Sequence, residues 1–354
     1  RQGRRFYGQY VQTQNDILPD TKATNFQPKL YWDRVAYGGW NFDLHNPKGI
    51  YDTAHPPYTS TPSPYVYSTP LSSLIASNVT NLFLAGRLAS FSQVVYGSQR
   101  VMKTCSTHGQ AVGTAAAYCI KNNVLPVDLA DESTAKDDVW SIQQQLIRDD
   151  AYVIGVYNAD PRDHARNASN ITASSIYIDT EKGWNGDPWN IITGQTRAID
   201  GEGGAFKGGY IAGINRWMSN GTEWPAWTML EWNYTLTKLS SIELIFDTGM
   251  HRKLMLSQKQ SDQGGQYWGQ PQPETVRDYD IEVRDVNNKD WKILVANITG
   301  NYQRRRVHNV SVKAQDMQID ALRVNVYATN GYPHVRINEL RVYDSMNGDD
   351  SFPK

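Results

Sequence analysis

The sequence predicts an α/β unit followed by an all-β antiparallel sandwich of jelly-roll type, and three observations predict it. Residues 81–121 read as a short apolar run, a Gly-Arg turn, a loop and a helix crowded with small residues. Residues 136–150 space Val139, Trp140, Ile142, Leu146 and Ile147 as one amphipathic helix. From Ile171 onward the period changes to two, with Gly, Asn, Asp and Pro turns between short runs, the pattern of a half-buried antiparallel sheet.

The first unit is placed at 1–125. Asn81–Ala85 is read as a buried strand that stops at Gly86-Arg87. Gly109, Ala111, Gly113, Ala115, Ala116 and Ala117 crowd the expected start of the next helix. A glycine within a helix costs about 1 kcal/mol relative to alanine. Gly109 and Gly113 therefore require a reason: either a tightly packed core helix or close approach of a backbone or a flat ligand. The free N–H groups at a helix start suit an electron-rich ligand atom. Residues 52–70, rich in Pro, Tyr, Ser and Thr, are expected as an ordered surface loop. Residues 126–170 form a helical connector that closes on a turn at Asp160–Asp163. The sandwich spans 171–345, with strands at Leu239–Phe246, Tyr279–Val283, Lys292–Val295, Ala321–Tyr327 and Val335–Tyr343, and a tail follows at 346–354.

A chain of 354 residues accommodates two or three such units. A formal net charge of −1 supplies no basic surplus for nucleic acid. No run of 18 apolar residues is present to span a membrane as a helix. The 11 Trp and 21 Tyr suit either sandwich cores or stacking on sugar rings. Cys105 and Cys119, on one helix, would lie about 21 Å apart and cannot bridge. So few cysteines fit a reducing compartment. Against that stand seven N-glycosylation sequons, at Asn78, Asn167, Asn170, Asn220, Asn233, Asn297 and Asn309. They favour a secreted or cell-surface glycoprotein, with the bacterial periplasm as the alternative.

Residues 81–121 resemble the C-terminal flavin-binding motif of FAD-dependent oxidoreductases distantly related to succinate dehydrogenase flavoprotein subunits. The matching residues are Asn81 to Arg87 and Ser90, then Gly97-Ser98-Gln99-Arg100-Val101-Met102, Thr104-Cys105, Gly109-Gln110-Ala111 and Gly113 to Ala117. Upstream, Arg4-Arg5, Gly8-Gln9-Tyr10, Asp16-Ile17-Leu18, Gly39 to His45 and Tyr67 to Leu74 resemble further stretches of that family, so the likeness covers residues 1 to about 150. Gln2 and Gly3 stand where the family has Glu and Ser. No GxGxxG follows a strand, and Gly201-Glu202-Gly203-Gly204 lacks the spacing. The resemblance therefore implies a partial FAD-binding fold without its dinucleotide fingerprint, to be completed by the N-terminal FAD-binding half of the same precursor. The basic start Arg1–Arg5 suits proteolytic processing.

The resemblance assigns Gly86, Arg87, Ser98, Cys105, His108, Gly109, Gln110 and Gly113 to the flavin, with the amides around Cys105 to Gly109 facing its pyrimidine edge. Arg100 would grip a substrate carboxylate or pin its loop. Asp43 and His45, two apart in an extended segment, share a face. His45 there is the candidate general base, with His55 and His108 as weaker alternatives. Residues 171 to about 345 resemble the discoidin, or coagulation factor 5/8 type C, galactose-binding-like domains. The matching pieces are Ile171–Ser175, Ala198–Gly201, Arg216–Ser219, Trp227–Trp232 and Ile337–Tyr343. That resemblance makes Asp200 and Glu339 candidate calcium ligands and Trp268, His251 and Arg252 candidate sugar contacts. The expected function is the substrate-side part of a secreted FAD-dependent oxidoreductase acting on a small molecule or carbohydrate, with an appended carbohydrate-binding-like module. The alternatives are a non-catalytic adhesive glycoprotein and a free-standing lectin.

Overall fold

The computed structural model describes residues 5–17, 28–61, 63, 66–181, 184–197, 215–249, 269–287, 289–344, 352 and 353. They fall into two compact units, one from 5–156 with Phe352 and Pro353, the other from 157–344.

The first unit combines helix α1 (Gln14–Ile17) with two small antiparallel sheets. Strand β1 (Arg34–Gly38) pairs with β4 (Tyr67–Pro70), and β2 (Phe42–His45) pairs with β3 (Tyr58–Thr61). Helices α2 (Gln93–Gln99), α3 (Met102–Asn122) and α4 (Glu132–Arg148) follow. Ser92 caps α2 by accepting the Val95 N–H, and Asp131 caps α4 by accepting the Ser133 N–H at 2.9 Å. That aspartate starts α4 four residues earlier than its apolar periodicity indicates. Val139, Ile142, Leu146 and Ile147 on α4 join the same core as Tyr67, Leu71, Ala111 and Ala115.

Two expectations are corrected here. Asn81–Ala85 is not a regular strand. Phe83 makes a single antiparallel bridge with Ile75, flanked by the bonds Leu84 N–H to Leu74 O and Ala76 N–H to Leu82 O. The piece is too short to extend that ladder. Nor do Gly109 and Gly113 lie at a helix start. Helix α3 begins at Met102, so Gly109 is two turns inside it. The helix buries Thr104, His108, Ala111, Ala115, Tyr118 and Cys119 on one face. It exposes Met102, Ser106, Gly109, Gly113, Ala117 and Ile120 on the other. Asn123, in the left-handed region at φ 54°, stops it.

The second unit is a two-sheet antiparallel sandwich, as expected from the period-two pattern. Its remaining strands are β5 (Asn170–Ala173), β6 (Ile178–Asp179), β7 (Trp184–Asn185), β8 (Trp217–Met218), β9 (Ala226–Leu236), β10 (Leu239–Phe246), β11 (Val276–Asp285), β12 (Trp291–Ile298), β13 (Arg305–Asn309), β14 (Ile319–Thr329) and β15 (Arg336–Asp344). One sheet has the order β12-β11-β14-β9-β5 and the other β13-β10-β15-β8. Leu230, Ile281, Val324 and Val326 of the first face Leu244, Phe246, Leu340 and Val342 of the second in one core. Every residue of β10 is buried, so the smaller sheet is covered on both faces. The turn around Asp163 is bridged to Tyr343 of β15, and the Val342 N–H donates to its carboxylate at 2.9 Å.

Candidate functional site

Strand β2 is anchored by Phe42, buried and stacked on Tyr67 with ring centroids 6.4 Å apart. Alternation then turns Asp43 and His45 away from that anchor. Helix α2 packs its backbone directly on this strand at Gly97, where an added Cβ would lie 2.8 Å from the Asp43 carbonyl oxygen. That close approach carries Arg100, the residue that ends α2, to the exposed edge of β2. Arg100 Nη2 donates to His45 Nε2 at 2.9 Å and lies 3.5 Å from Asp43 Oδ2. Arg100 thus meets the Asp43–His45 pair, from which it is separate in the sequence, at one point. Because His45 Nε2 accepts from a guanidinium that cannot accept, the neutral ring carries its proton on Nδ1.

Asp43 and Arg100 border an open cleft of about 720 Å³ that Trp40, Arg87, Met102 and Cys105 also line. Gly86, at φ +59°, turns the chain so that Arg87 reaches the cleft, and a Cβ there would sit 3.4 Å from that of Cys105. Burial raises the Cys105 thiol pKa, while the Arg87 charge opposes that shift. A second cavity, about 670 Å³ and lined by Phe83, Cys119, Ile120 and Leu125, gathers no comparable set of charges.

The other assigned residues do not line the polar cleft. Ser98 is fully buried. It receives the Tyr67 hydroxyl and donates to the Trp40 carbonyl at 2.5 Å, so it holds the cleft wall from behind. His108 points into the core against Phe91, with both ring nitrogens buried and unpartnered, and burial pushes its pKa down to about 4. Gly109, Gln110 and Gly113 lie on the exposed face of α3. The Cys105 N–H is already bonded to the Val101 carbonyl, so the free amides are those of Met102 to Thr104 in the first turn. This corrects the expectation for Cys105 to Gly109: the donors exist, one turn earlier. His55 is exposed and pairs with Asp52 at 3.1 Å. What the sequence reading missed is the role of Gly97 and of Tyr67 with Ser98 in fixing the cleft. All three lie in quoted motifs, but only the packing shows what they touch.

The residues present fit the pyrimidine edge of a flavin. The first-turn amides of a 21-residue helix and the Arg87 guanidinium both favour negative charge there. Arg100 keeps its buried Nε without a partner.

In the second unit, of the two candidate calcium ligands only Glu339 lies among the described residues. Glu339 is 1 % exposed, and its carboxylate is engaged by Arg341 at 2.7 Å and by Asn158 at 3.2 Å. A paired, buried carboxylate is not a free hard-oxygen ligand. Among the described residues no group of three or more His, Cys, Asp or Glu side chains is placed to hold a metal ion. Asp200, Trp268, His251 and Arg252 lie outside the described residues. No helix among the described residues is long and apolar enough to cross a membrane.

Residues 1–146 match the sequence model of the family described as FAD dependent oxidoreductase. No curated protein matches the chain. Among solved structures, the family 32 carbohydrate-binding module of Clostridium perfringens NanJ, in complex with galactose, is 16 % identical. It covers 49 % of this chain and 93 % of its own, at a TM-score of 0.31. The family 32 module of Streptococcus pneumoniae EndoD is 13 % identical, covering 50 % of this chain and 98 % of its own at a TM-score of 0.32. A chitosan-binding module from a Paenibacillus chitosanase/glucanase is 16 % identical, covering 51 % of this chain and 98 % of its own at 0.30. The sandwich is established by its own strand pairing. Residues 1–146, which carry the cleft together with Asp43, His45 and Arg100, match the model of the FAD dependent oxidoreductase family over less than half of the chain.

Proposed function

We propose that this chain forms the substrate side of a secreted FAD-dependent dehydrogenase whose flavin site is completed by an N-terminal FAD-binding half. The observation that carries the reading is the meeting of Asp43, His45 and Arg100 beside Arg87 and the start of α3, within the segment matched to the family. Bound FAD would supply the two-electron acceptor. Arg87 and the amides of Met102 to Thr104 would hold its electron-rich edge. Arg100 would bind an oxygen of the substrate. In the structure Arg100 occupies His45 Nε2, so a substrate that draws the guanidinium away frees that nitrogen to take a proton. Asp43 keeps the arginine near the strand in both states. The exposed small-residue face of α3 is where the missing half would pack. The second unit would serve as a carbohydrate-binding module that brings the enzyme to a polyhydroxyl substrate.

A visible absorption spectrum of natively purified protein, with a denaturing gel of the same sample, tests this. A flavin spectrum with a second polypeptide band is the expected result. No flavin and a single band would refute it. That outcome would leave the second reading, a non-catalytic glycoprotein, which is favoured by the exposure of Asn78, Asn167, Asn170, Asn233, Asn297 and Asn309.

A further inference from the structure

The outer face of the five-stranded sheet is built differently from an ordinary solvated sheet surface. Strand β14 alternates Leu322, Val324 and Val326 into the core with Arg323, Asn325 and Tyr327 on the outer face. Neighbouring strands set Asp280 opposite Asn325, Glu282 opposite Arg323, and Trp227 opposite Asn325 on the far side. The result is a continuous polar floor. Tyr327 Oη donates to Asp280 at 2.5 Å, and Asn325 Nδ2 donates at 2.9 Å to both Asp280 and Glu282. Arg323 Nε donates to Glu282 at 2.5 Å.

Two features separate this floor from a row of surface ion pairs. Asp280 and Glu282 are only 9 % and 8 % exposed although they lie on the outer face. Holding carboxylates that dry costs free energy unless they are paired and fixed, so the floor is rigid. It is also bordered by aromatic rings. Tyr327 is half exposed at one end, Trp227 is partly exposed beside Asn325, and Trp291 lies beyond, stacked 4.3 Å from the Arg323 guanidinium.

We propose that this sheet face is a binding surface for a neutral oligosaccharide, with Tyr327 and Trp227 as stacking rings and Asp280 and Asn325 as the groups that read hydroxyls. With both Asn325 N–H groups spent on Asp280 and Glu282, the rigid row offers carboxylate and amide carbonyl oxygens as acceptors at one level, the pattern that takes hydrogen bonds from neighbouring hydroxyls of a sugar ring. Flat aromatic rings supply contact area at little entropic cost. The charge balance selects a neutral ligand over a polyanion. Arg323 is paired with Glu282, and Arg284 is paired with Glu231 at 3.1 Å and Asp320 at 2.7 Å. Both arginines are thus compensated, which weakens any attraction of this floor for phosphates or sulfates. The proposal rests on the reading of the second unit as a carbohydrate-binding module and does not depend on flavin chemistry in the first unit.

The test is electrophoresis of the whole chain through native gels containing galactan, xylan, β-1,3-glucan or heparin. At least one neutral polysaccharide should retard the chain and heparin should not. Tyr327→Ala and, separately, Asn325→Ala should each weaken retardation at least tenfold. Tyr327→Phe, which keeps the ring, should retain most of it. Far-UV circular dichroism should be unchanged in the Asn325 and Tyr327 variants, both of which spare the inward-facing core, while the loss of bonds to Asp280 and Glu282 lowers the melting temperature without unfolding the chain at the assay temperature. The proposal is overturned if no neutral polysaccharide retards the chain or if only heparin does. It is equally overturned if both alanine variants bind as tightly as the parent while Trp268→Ala does not. Loss of retardation only together with loss of self-association would also overturn it, by making the face a contact between copies.

Discussion

Replacing both Gly109 and Gly113 with alanine gives a stability change whose sign depends on what covers α3. Neither added Cβ would meet any heavy atom within 4 Å. Each glycine sits in the interior of a 21-residue helix, where alanine is more favourable by about 0.8–1.0 kcal/mol. The two substitutions together should stabilise the isolated chain by about 2 kcal/mol. For a unit of this size, that raises the melting temperature by about 4–8 °C. Urea denaturation of the chain alone, followed by far-UV circular dichroism, should show a higher midpoint at unchanged slope. Under the proposed function the same methyl groups would meet an N-terminal half, so flavin retention should fall. A destabilised isolated chain would refute the reading that this face is open. A stabilised chain that also retains flavin normally on reassembly would refute the reading that the partner packs there.

Three further outcomes follow from the structure. Gly97→Ala would drive a methyl group against the Asp43 backbone at 2.8 Å. It should cost about 1–3 kcal/mol despite better helix propensity and lower any activity by parting Arg100 from His45; unchanged activity would show that the contact is dispensable. His108 has its pKa lowered from 6.5 to about 4 by burial. Its contribution to stability is therefore present above the unfolded pKa and lost as pH falls from about 6.5 to 4, and His108→Leu should flatten that acid limb of the first unit's melting curve. Asp163 shows the opposite sign. Burial raises its pKa from 3.8 to about 7, against bonds donated by the amides of Ala165 and Val342. The folded state then holds the proton more tightly, so stability is greatest below about pH 4 and declines toward pH 7, by at most about 4 kcal/mol. Asp163→Asn should remove that decline in the second unit, and an unaltered slope would show that the hydrogen bonds keep Asp163 ionised throughout.

Much of the fold was legible because period two and period 3.6 are local signals. Leu239–Phe246 was bounded correctly as a strand. Strands β11, β12, β14 and β15 extended beyond the read segments by one to three residues at most of their ends, since pairing continues past the apolar residues that announce a strand. The short strands β5 and β13 carry too few alternating residues to announce themselves and exist because β9 and β10 pair with them. Helix α4 was found by its apolar stripe, but its start was set by the Asp131 cap.

The candidate site divides along the same line. The sequence alone determined the chemistry available: Asp43 and His45 two apart on an extended segment, Arg87 after a glycine, Arg100 just before a small-residue helix, and the match of residues 1–146 to an FAD dependent oxidoreductase model. Tertiary structure decided which of those groups meet. Gly97 lets α2 approach β2 and brings Arg100 to His45 across 55 positions. The rotation of α3 turns His108 into the core and leaves Gly109 and Gly113 exposed. Arg341 claims the Glu339 carboxylate that the sequence offered to calcium. Residue type fixes what a side chain can do, whereas its partner and its exposure depend on contacts between distant segments, and those follow from packing.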